Sequence, residues 1–198
     1  MKHMSKRPHC IIITGRPGSG KTTLAGELCK TLYLPKISRD EIKEGYVNTF
    51  GVKHDRLPKD TNRVVNQVFF ETILTLLNGQ VSIVVEAAFE HKQWDHIVPQ
   101  ILAITRPSIL ICDVGAELSA HRHLERGLAN PAREFYHGDK RVAFFRKTGK
   151  CEPGGAYNPP DYDVPILSVS TADGYAPELD TIVEFVKTQP AALCDGED

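Results

Sequence analysis

Residues 15 to 22 read Gly-Arg-Pro-Gly-Ser-Gly-Lys-Thr, and the segments on either side limit what that octet can be. His9 to Thr14 is a continuous apolar run entering Gly15, as a buried parallel strand would. From Thr22 to Leu32, Leu24, Leu28 and Leu32 recur at helical spacing, and Pro35 stops the pattern. The form G-x-x-x-x-G-K-[ST] between a strand and a helix is that of a phosphate-binding loop. Three glycines let the backbone turn successive N–H groups inward, and the helix adds its partial positive end. Lys21 then neutralises the β- and γ-phosphates, and the Thr22 hydroxyl binds magnesium. ATP with Mg2+ is therefore the expected ligand. Gly15, Arg16, Pro17, Gly18, Ser19, Gly20, Lys21, Thr22 and Thr23 are expected around its phosphates.

The rest of the chain alternates strands with helices. Lys36 to Ser38 reads as a short extended piece and Arg39 to Asn48 as a helix, with Ser38 as N-cap and Glu41 completing a capping box. A long helix runs from Asp60 or Thr61 to Leu77 on an apolar stripe that includes Val64, Val65, Val68, Phe69, Ile73 and Leu77, and Asn78-Gly79 ends it. Val81 to Val85 is a second buried strand ending at Glu86. His91 to Ile104 is helical with a break near Pro99, and Ser108 to Asp113 is a third strand. Glu117 to Leu128 and parts of 131–147 are basic helices. The proline-rich stretch 150–165 is a loop, Ile166 to Ser170 the last strand, and Pro177 opens a final helix to about Thr188. The pattern predicts a three-layer α/β/α sandwich on a mainly parallel five-stranded sheet, with a helical lid at about 118–148. One domain over 9–188 is expected, flanked by a frayed or non-native start at 1–8 and a flexible tail at 189–198.

Charge and cysteines narrow the setting. Of 198 residues, 24 are Lys or Arg and 25 Asp or Glu, so no global basic field favours nucleic acid as a partner, although a local strip stays open. Five dispersed cysteines without a C-x-x-C pair argue against a disulfide framework or zinc site and for a reducing cytoplasm. No apolar run is long enough to span a bilayer, and the start carries no secretory leader.

Several residues stand where chemistry is expected. Ser38-Arg39-Asp40 ends the second strand, and ligands of such sheets lie beyond the carboxyl ends of strands. Glu86 ends the strand beside the loop, placed to hold a magnesium water or orient an acceptor. Arg122, Arg126 and Arg133 follow the third strand, and a cationic lid there would stabilise charge leaving on the β-phosphate. His121 and His123 are two apart on a helix and do not form a metal pair. Tyr157 and Tyr162 are candidates to stack on a ring, and Ser170-Thr171 for a base pocket.

On the glycine loop together with Ser38-Arg39-Asp40 and Lys43, the chain resembles the P-loop kinase family that includes phage-type polynucleotide 5′-kinase, chloramphenicol phosphotransferase and small kinases grouped as AAA domains. The likeness covers about Cys10 to Phe185. It implies a nucleoside-kinase-like fold and ATP-dependent transfer of the γ-phosphate to a hydroxyl of a small molecule or nucleic-acid end. By the same likeness Asp40 is the general base, with Lys21 and Arg126 catalytic. Arg126-Gly127 matches a lid Arg-Gly, and Arg126 and Arg133 reach the nucleotide. Arg39, Lys43 and Glu86 lie on the substrate side, and Thr22 and Glu86 on the metal. The chain departs from the pattern at Lys43, where the polynucleotide kinase has arginine, and at Glu86, where many relatives have aspartate. A monomer or homodimer is expected, and the alternative is a P-loop ATPase acting as a nucleotide-dependent switch.

Overall fold

The computed structural model describes residues 7–138, 140–152 and 154–188. The tail at 189–198, Cys194 and all of the expected frayed start except Arg7 and Pro8 lie outside them. Strands β1 (His9–Gly15), β2 (Lys36–Ser38), β3 (Ile83–Glu86), β4 (Arg106–Asp113) and β5 (Ile166–Ser170) form one all-parallel sheet in the order β2-β3-β1-β4-β5. The helices are α1 (Lys21–Leu32), α2 (Arg39–Phe50), α3 (Thr61–Asn78), α4 (His91–Trp94), α5 (Val98–Ile104), α6 (Ala116–Ala129), α7 (Arg133–His137), α8 (Lys140–Thr148) and α9 (Leu179–Thr188). The architecture is the expected three-layer α/β/α sandwich. No helix among the described residues is long and apolar enough to cross a membrane.

Strand periodicity divides the core into two layers. Cys10, Ile12, Ile83, Val85 and Ile109 pack with Phe69, Ile73 and Leu77 of α3, Trp94 of α4 and Ile101 of α5. The alternating positions Ile11, Ile13, Val84, Leu110 and Cys112 pack with Leu24 and Leu28 of α1 and Ile182 and Val186 of α9. Full burial of one such side chain is worth about 1.5–3 kcal/mol. A strand covered on both faces collects that gain at every position, so these strands read as unbroken apolar runs.

Several boundaries differ from the sequence reading. β3 begins at Ile83, because Val81 bonds back to Leu76 in the turn closing α3. β4 begins at Arg106 with Pro107 inside it. Proline is tolerated there because β5 joins β4 only from Ile109 onward, so the missing N–H leaves no ladder bond broken on that side. The buried stripe of α3 is narrower than expected. Val65, Phe69, Ile73 and Leu77 are buried at four-residue steps, while Val68 is 41% exposed. Pro177 does not open α9: it follows a cis peptide at Ala176, whose backbone pairs with Ser170, and the helix starts at Leu179.

Register lines up the carboxyl ends of the strands. Ser38 is level with Glu86, Glu86 with Ile13, and Cys112 with Gly15. One edge of the sheet thus presents the glycine loop, the end of β3 and the start of α2 to the same space.

Candidate active site

Gly15, Gly18 and Gly20 all have positive φ, at 144°, 89° and 83°. The loop they form is clasped from two sides. A Cβ on Gly15 would lie 2.4 Å from the Cys112 carbonyl oxygen of β4, and one on Gly18 would lie 2.1 Å from the Ser119 carbonyl oxygen of α6. Thr171, just past β5, holds the third side: its hydroxyl donates to the Ser19 carbonyl at 2.8 Å and its amide to Asp113 at 3.1 Å. Helix α1 starts at Gly20 without a side-chain cap or an acid in its first turn, so its positive end is left for an external anion.

The interior of the loop suits phosphate. The Ser19 hydroxyl is buried and has no partner among the described residues. Lys21 is 6% exposed and curls inward, donating to the Arg16 carbonyl at 3.0 Å. Burial holds its ammonium below the ordinary lysine value, with Glu86 the leading opposing influence. A triphosphate would supply the counter-charge this group lacks. Thr22 and Thr23 are exposed at the helix start. These observations fit the expected nucleotide. Among the described residues no group of three His, Cys, Asp or Glu is arranged to hold a metal by itself.

On the acidic side, Ser38 occupies the N-cap position of α2, but the expected capping box does not form. Its hydroxyl donates to Glu86 Oε2 at 2.9 Å, and Glu41 pairs with Lys36. Glu86 is 5% exposed, and burial raises its carboxyl above the ordinary value against the pull of Lys21 and the Ser38 bond. Asp40 behaves in the opposite way. Burial pushes its carboxyl upward, yet His137, Arg39, Lys21 and Lys43 together outweigh that and hold it below the usual range. Its side chain keeps 54% exposure, so water also moderates the burial effect. The result is a carboxyl that favours its ionised form and stands half open to solvent. Lys43 is buried, which with Arg39 lowers its ammonium while Asp40 opposes. Arg39 is committed elsewhere: it donates to Asn66 and Asn62 of α3 at 3.0 and 2.9 Å and pairs with Asp40 at 3.5 Å. It braces α2 against α3 and steadies Asp40.

Helices α6 to α8 lie over this edge. Arg126 is exposed on α6, and its charge acts on Lys21. Arg122 instead fastens α6 to the turn after β5, donating to the Thr171 and Ala172 carbonyls at 2.9 and 2.8 Å. α7 docks on α2 through His137 and Glu44 at 2.7 Å and through the Tyr136 hydroxyl, which donates to Asn48 at 3.0 Å. Arg133 lies in the wall of a cavity of about 310 Å3 between these helices, whose lining includes no residue of the glycine loop. His121 is exposed, whereas His123 accepts from Arg141 at 2.9 Å.

The described residues of the 150–165 loop form a strap across the site. The Arg16 guanidinium donates to the Gly155 carbonyl and lies 5.7 Å from the centre of the Tyr157 ring. The Tyr157 hydroxyl sits 2.9 Å from Thr14 Oγ1 and 3.0 Å from the Phe89 carbonyl. Thr14 donates to that same carbonyl at 2.8 Å, and the Trp94 indole N–H reaches Thr14 at 3.3 Å. Tyr162 stacks on His91 with centroids 4.6 Å apart and bonds Asp95. Neither tyrosine is therefore a bare stacking platform. Under the strap lies a cavity of about 460 Å3 lined by Arg16, Asn66, Phe89, Glu90, Gln93 and Arg141. A separate recess of about 330 Å3, bordered by Thr23, Glu27, Arg122, Thr171 and Tyr175, opens beside Gly20.

Comparison with known proteins agrees with this geometry. The AAA_33 family model, described as an AAA domain, matches residues 10–142. Among solved structures, a Chloroflexus aurantiacus protein provisionally described as a kinase superposes with a TM-score of 0.71 at 22% identity, over 93% of this chain and 100% of that one. An APS kinase from Mycobacterium tuberculosis, solved with AMPPNP and APS, gives 0.58 at 15%, over 92% and 99%. A gluconokinase from Sinorhizobium meliloti gives 0.53 at 15%, over 92% and 93%. At these identities the likeness is one of fold. No curated protein sequence matches the chain significantly.

Proposed function

Since the chain belongs to the AAA domain family whose model matches residues 10–142, we propose that it is an ATP-dependent phosphotransferase that moves the γ-phosphate to a hydroxyl group. The observation that carries this reading is Asp40. It is ionised, half exposed, and on the same sheet edge as the glycine loop, close enough to Lys21 for each charge to bear on the other. The kinase-described folds it shares, gluconokinase and APS kinase among them, support the same class.

The chemistry asks little of the protein beyond placement and charge. Phosphoryl transfer is loose, and the acceptor proton leaves late, so a carboxylate of low basicity suffices as its receiver. The oxygen of the acceptor hydroxyl bonds to the γ-phosphorus, the bond to the β–γ bridge oxygen breaks, and the proton passes to an Asp40 oxygen. Lys21 lies along the phosphates inside the loop, and Arg126 approaches the leaving side from α6. Thr22 and Glu86 would hold magnesium, which supplies charge neutralisation between the phosphates. Glycine-loop amides bind the donor, and the strap with helices α6 to α8 limits water at the transfer point. We place the protein in the cytoplasm as a monomer or homodimer, a setting that suits the free thiols of Cys10, Cys29, Cys112 and Cys151.

Incubation with γ-labelled ATP, magnesium and a panel of hydroxyl compounds and 5′-hydroxyl oligonucleotides tests the reading. Label is expected on an acceptor, and in Asp40→Asn that transfer drops by about 100-fold or more while nucleotide still binds. Label released only as free phosphate would favour the nucleotide-switch alternative and sink the kinase.

A further inference from the structure

Resting on the reading of the glycine loop as a triphosphate site, we propose that Arg16 is a positioning residue: its backbone belongs to the loop and its side chain holds the strap, so that a bound donor sets the order of the strap and the wall of the cavity beneath it. Arg16 stands second in the glycine octet, among the residues expected around the phosphates. In the structure its guanidinium is taken up by the strap instead. It donates to the Gly155 carbonyl and lies 5.7 Å from the centre of the Tyr157 ring, within the range of a cation–π contact. The bond to the carbonyl is charge-assisted, and the ring face gives the same group a second hold.

The backbone of the same residue is wired into the loop interior. The Arg16 carbonyl accepts from the Lys21 ammonium at 3.0 Å and from the Ser19 amide at 3.1 Å. A triphosphate that draws the ammonium onto its own oxygens leaves that carbonyl with one of its two donors. A second tie runs beside the first: the Tyr157 hydroxyl lies 2.9 Å from Thr14 Oγ1, so the strap is fastened to the residues on either side of Gly15. Gly15 has little room to absorb a shift between them, since a Cβ there would meet the Cys112 carbonyl oxygen at 2.4 Å and the Ser19 hydroxyl at 2.7 Å. A displacement of Arg16 is therefore passed to the strap through direct contacts.

Loop and strap also border one space. Arg16 and Pro17 of the loop, Tyr157 of the strap and Phe89 line the cavity of about 460 Å3. The far end of the strap is held independently of the loop: the His91 amide donates to the Asn158 carbonyl at 3.0 Å, and the Asp161 amide to His91 Nδ1 at 3.0 Å. Donor occupancy thus acts on the stretch 155–157 against a fixed remainder and remakes one wall of this cavity. By linkage, whatever steadies the strap from the cavity side also tightens the donor.

NMR of the full chain, with calorimetry for affinity, tests the coupling. AMPPNP with magnesium is titrated while the Gly18 and Gly20 amides report the loop and the Gly155 and Ala156 amides the strap. The chain has one tryptophan, whose indole N–H donates to Thr14 at 3.3 Å and reports the loop side of the junction without passing through Arg16. In the parent chain, loop and strap signals are expected to shift together and saturate at the same concentration. In Arg16→Gln the strap shifts should shrink by about threefold or more, while the Trp94 signal still responds and AMPPNP affinity falls by less than about tenfold, the scale of an ordinary coupling between sites. Arg16→Lys keeps a cation for the Tyr157 ring and should restore part of the strap response. A merely structural role for Arg16 would alter the signals of the free chain but not their response to nucleotide. Strap amides that stay still while the loop amides shift, an undiminished strap response in Arg16→Gln, or equal shrinkage in the glutamine and lysine variants would overturn the proposal. A larger fall in AMPPNP affinity would put Arg16 on the phosphates and overturn it as well. If calorimetry shows no AMPPNP binding, the donor reading falls and the coupling with it, whereas binding with a silent strap sinks the coupling alone.

Discussion

Replacing Gly18 by alanine asks whether α6 really rests on the phosphate loop. The new Cβ would sit 2.1 Å from the Ser119 carbonyl oxygen, 3.0 Å from its carbon and 3.2 Å from the His123 nitrogen, all of them backbone of α6. Carbon and oxygen approach to about 3.3 Å even in weak C–H···O contacts, so the gap is short by about 1 Å. A helix backbone cannot yield that by a rotamer change. Gly18 also has φ at 89°, a conformation that costs an L-residue about 1–2 kcal/mol. Overpacking against a rigid neighbour adds about 1–3 kcal/mol. The combined loss is about 2–5 kcal/mol, a large part of an ordinary domain's stability. For a chain of this size it corresponds to a fall in Tm of about 4–20 °C. Thermal unfolding followed by circular dichroism, with AMPPNP titration on the folded fraction, measures both consequences, and the expected outcome is a lower Tm together with weakened nucleotide binding. Gly45→Ala is the control: it lies within α2 with nothing within 4 Å of its added Cβ, and should gain about 0.5–1 kcal/mol. If Gly18→Ala retains both parental Tm and AMPPNP affinity, α6 is not seated on the loop.

Three further outcomes follow from the charges. Lys21→Met should abolish label transfer without lowering Tm, because it removes a buried ammonium whose ionisation burial already opposes; a clear loss of Tm would mean the lysine stabilises the resting fold. Glu86 has a raised folded value, so above its ordinary 4.5 the folded chain holds more protons than the unfolded one and stability falls as pH rises. Glu86→Gln should flatten that slope in a series of Tm measurements, and an unchanged slope would refute the assignment. Asp40 has a depressed value, so its contribution is present above its ordinary 3.8 and lost as pH falls through the folded value; Asp40→Asn should remove that acid-side loss and little else from the unfolding profile.

Local signals made much of this molecule legible in its sequence. The glycine octet, the unbroken apolar strands and the acids at strand ends each follow from nearest-neighbour chemistry, and the structure sets them on one edge of the sheet. What the sequence hid was who meets whom at long range. Ser38 looks like a helix cap, but Glu86, 48 residues away, takes its hydroxyl. Arg39 looks like a substrate ligand until Asn62 and Asn66 of the next helix claim its nitrogens. Arg122 sits in a basic helix that reads as a charged lid face, yet it is tied to two carbonyls beyond β5. No periodicity predicts such partners, because each depends on how two separate elements cross. Ser19 stands in the octet expected around the phosphates, but only its burial without a partner among the described residues singles out its hydroxyl.

Thr14 is the point where these distant parts meet. One hydroxyl at the end of β1 gathers Phe89, Trp94 and Tyr157, residues from two segments that otherwise shape the space beside the donor. Exchanging only the segment after β3, or only the strap, would tear this junction open directly beside the glycine loop. The two stretches are heritable as a pair: a graft that transplants both with their threonine should keep the donor pocket intact, and one that transplants either alone should damage it.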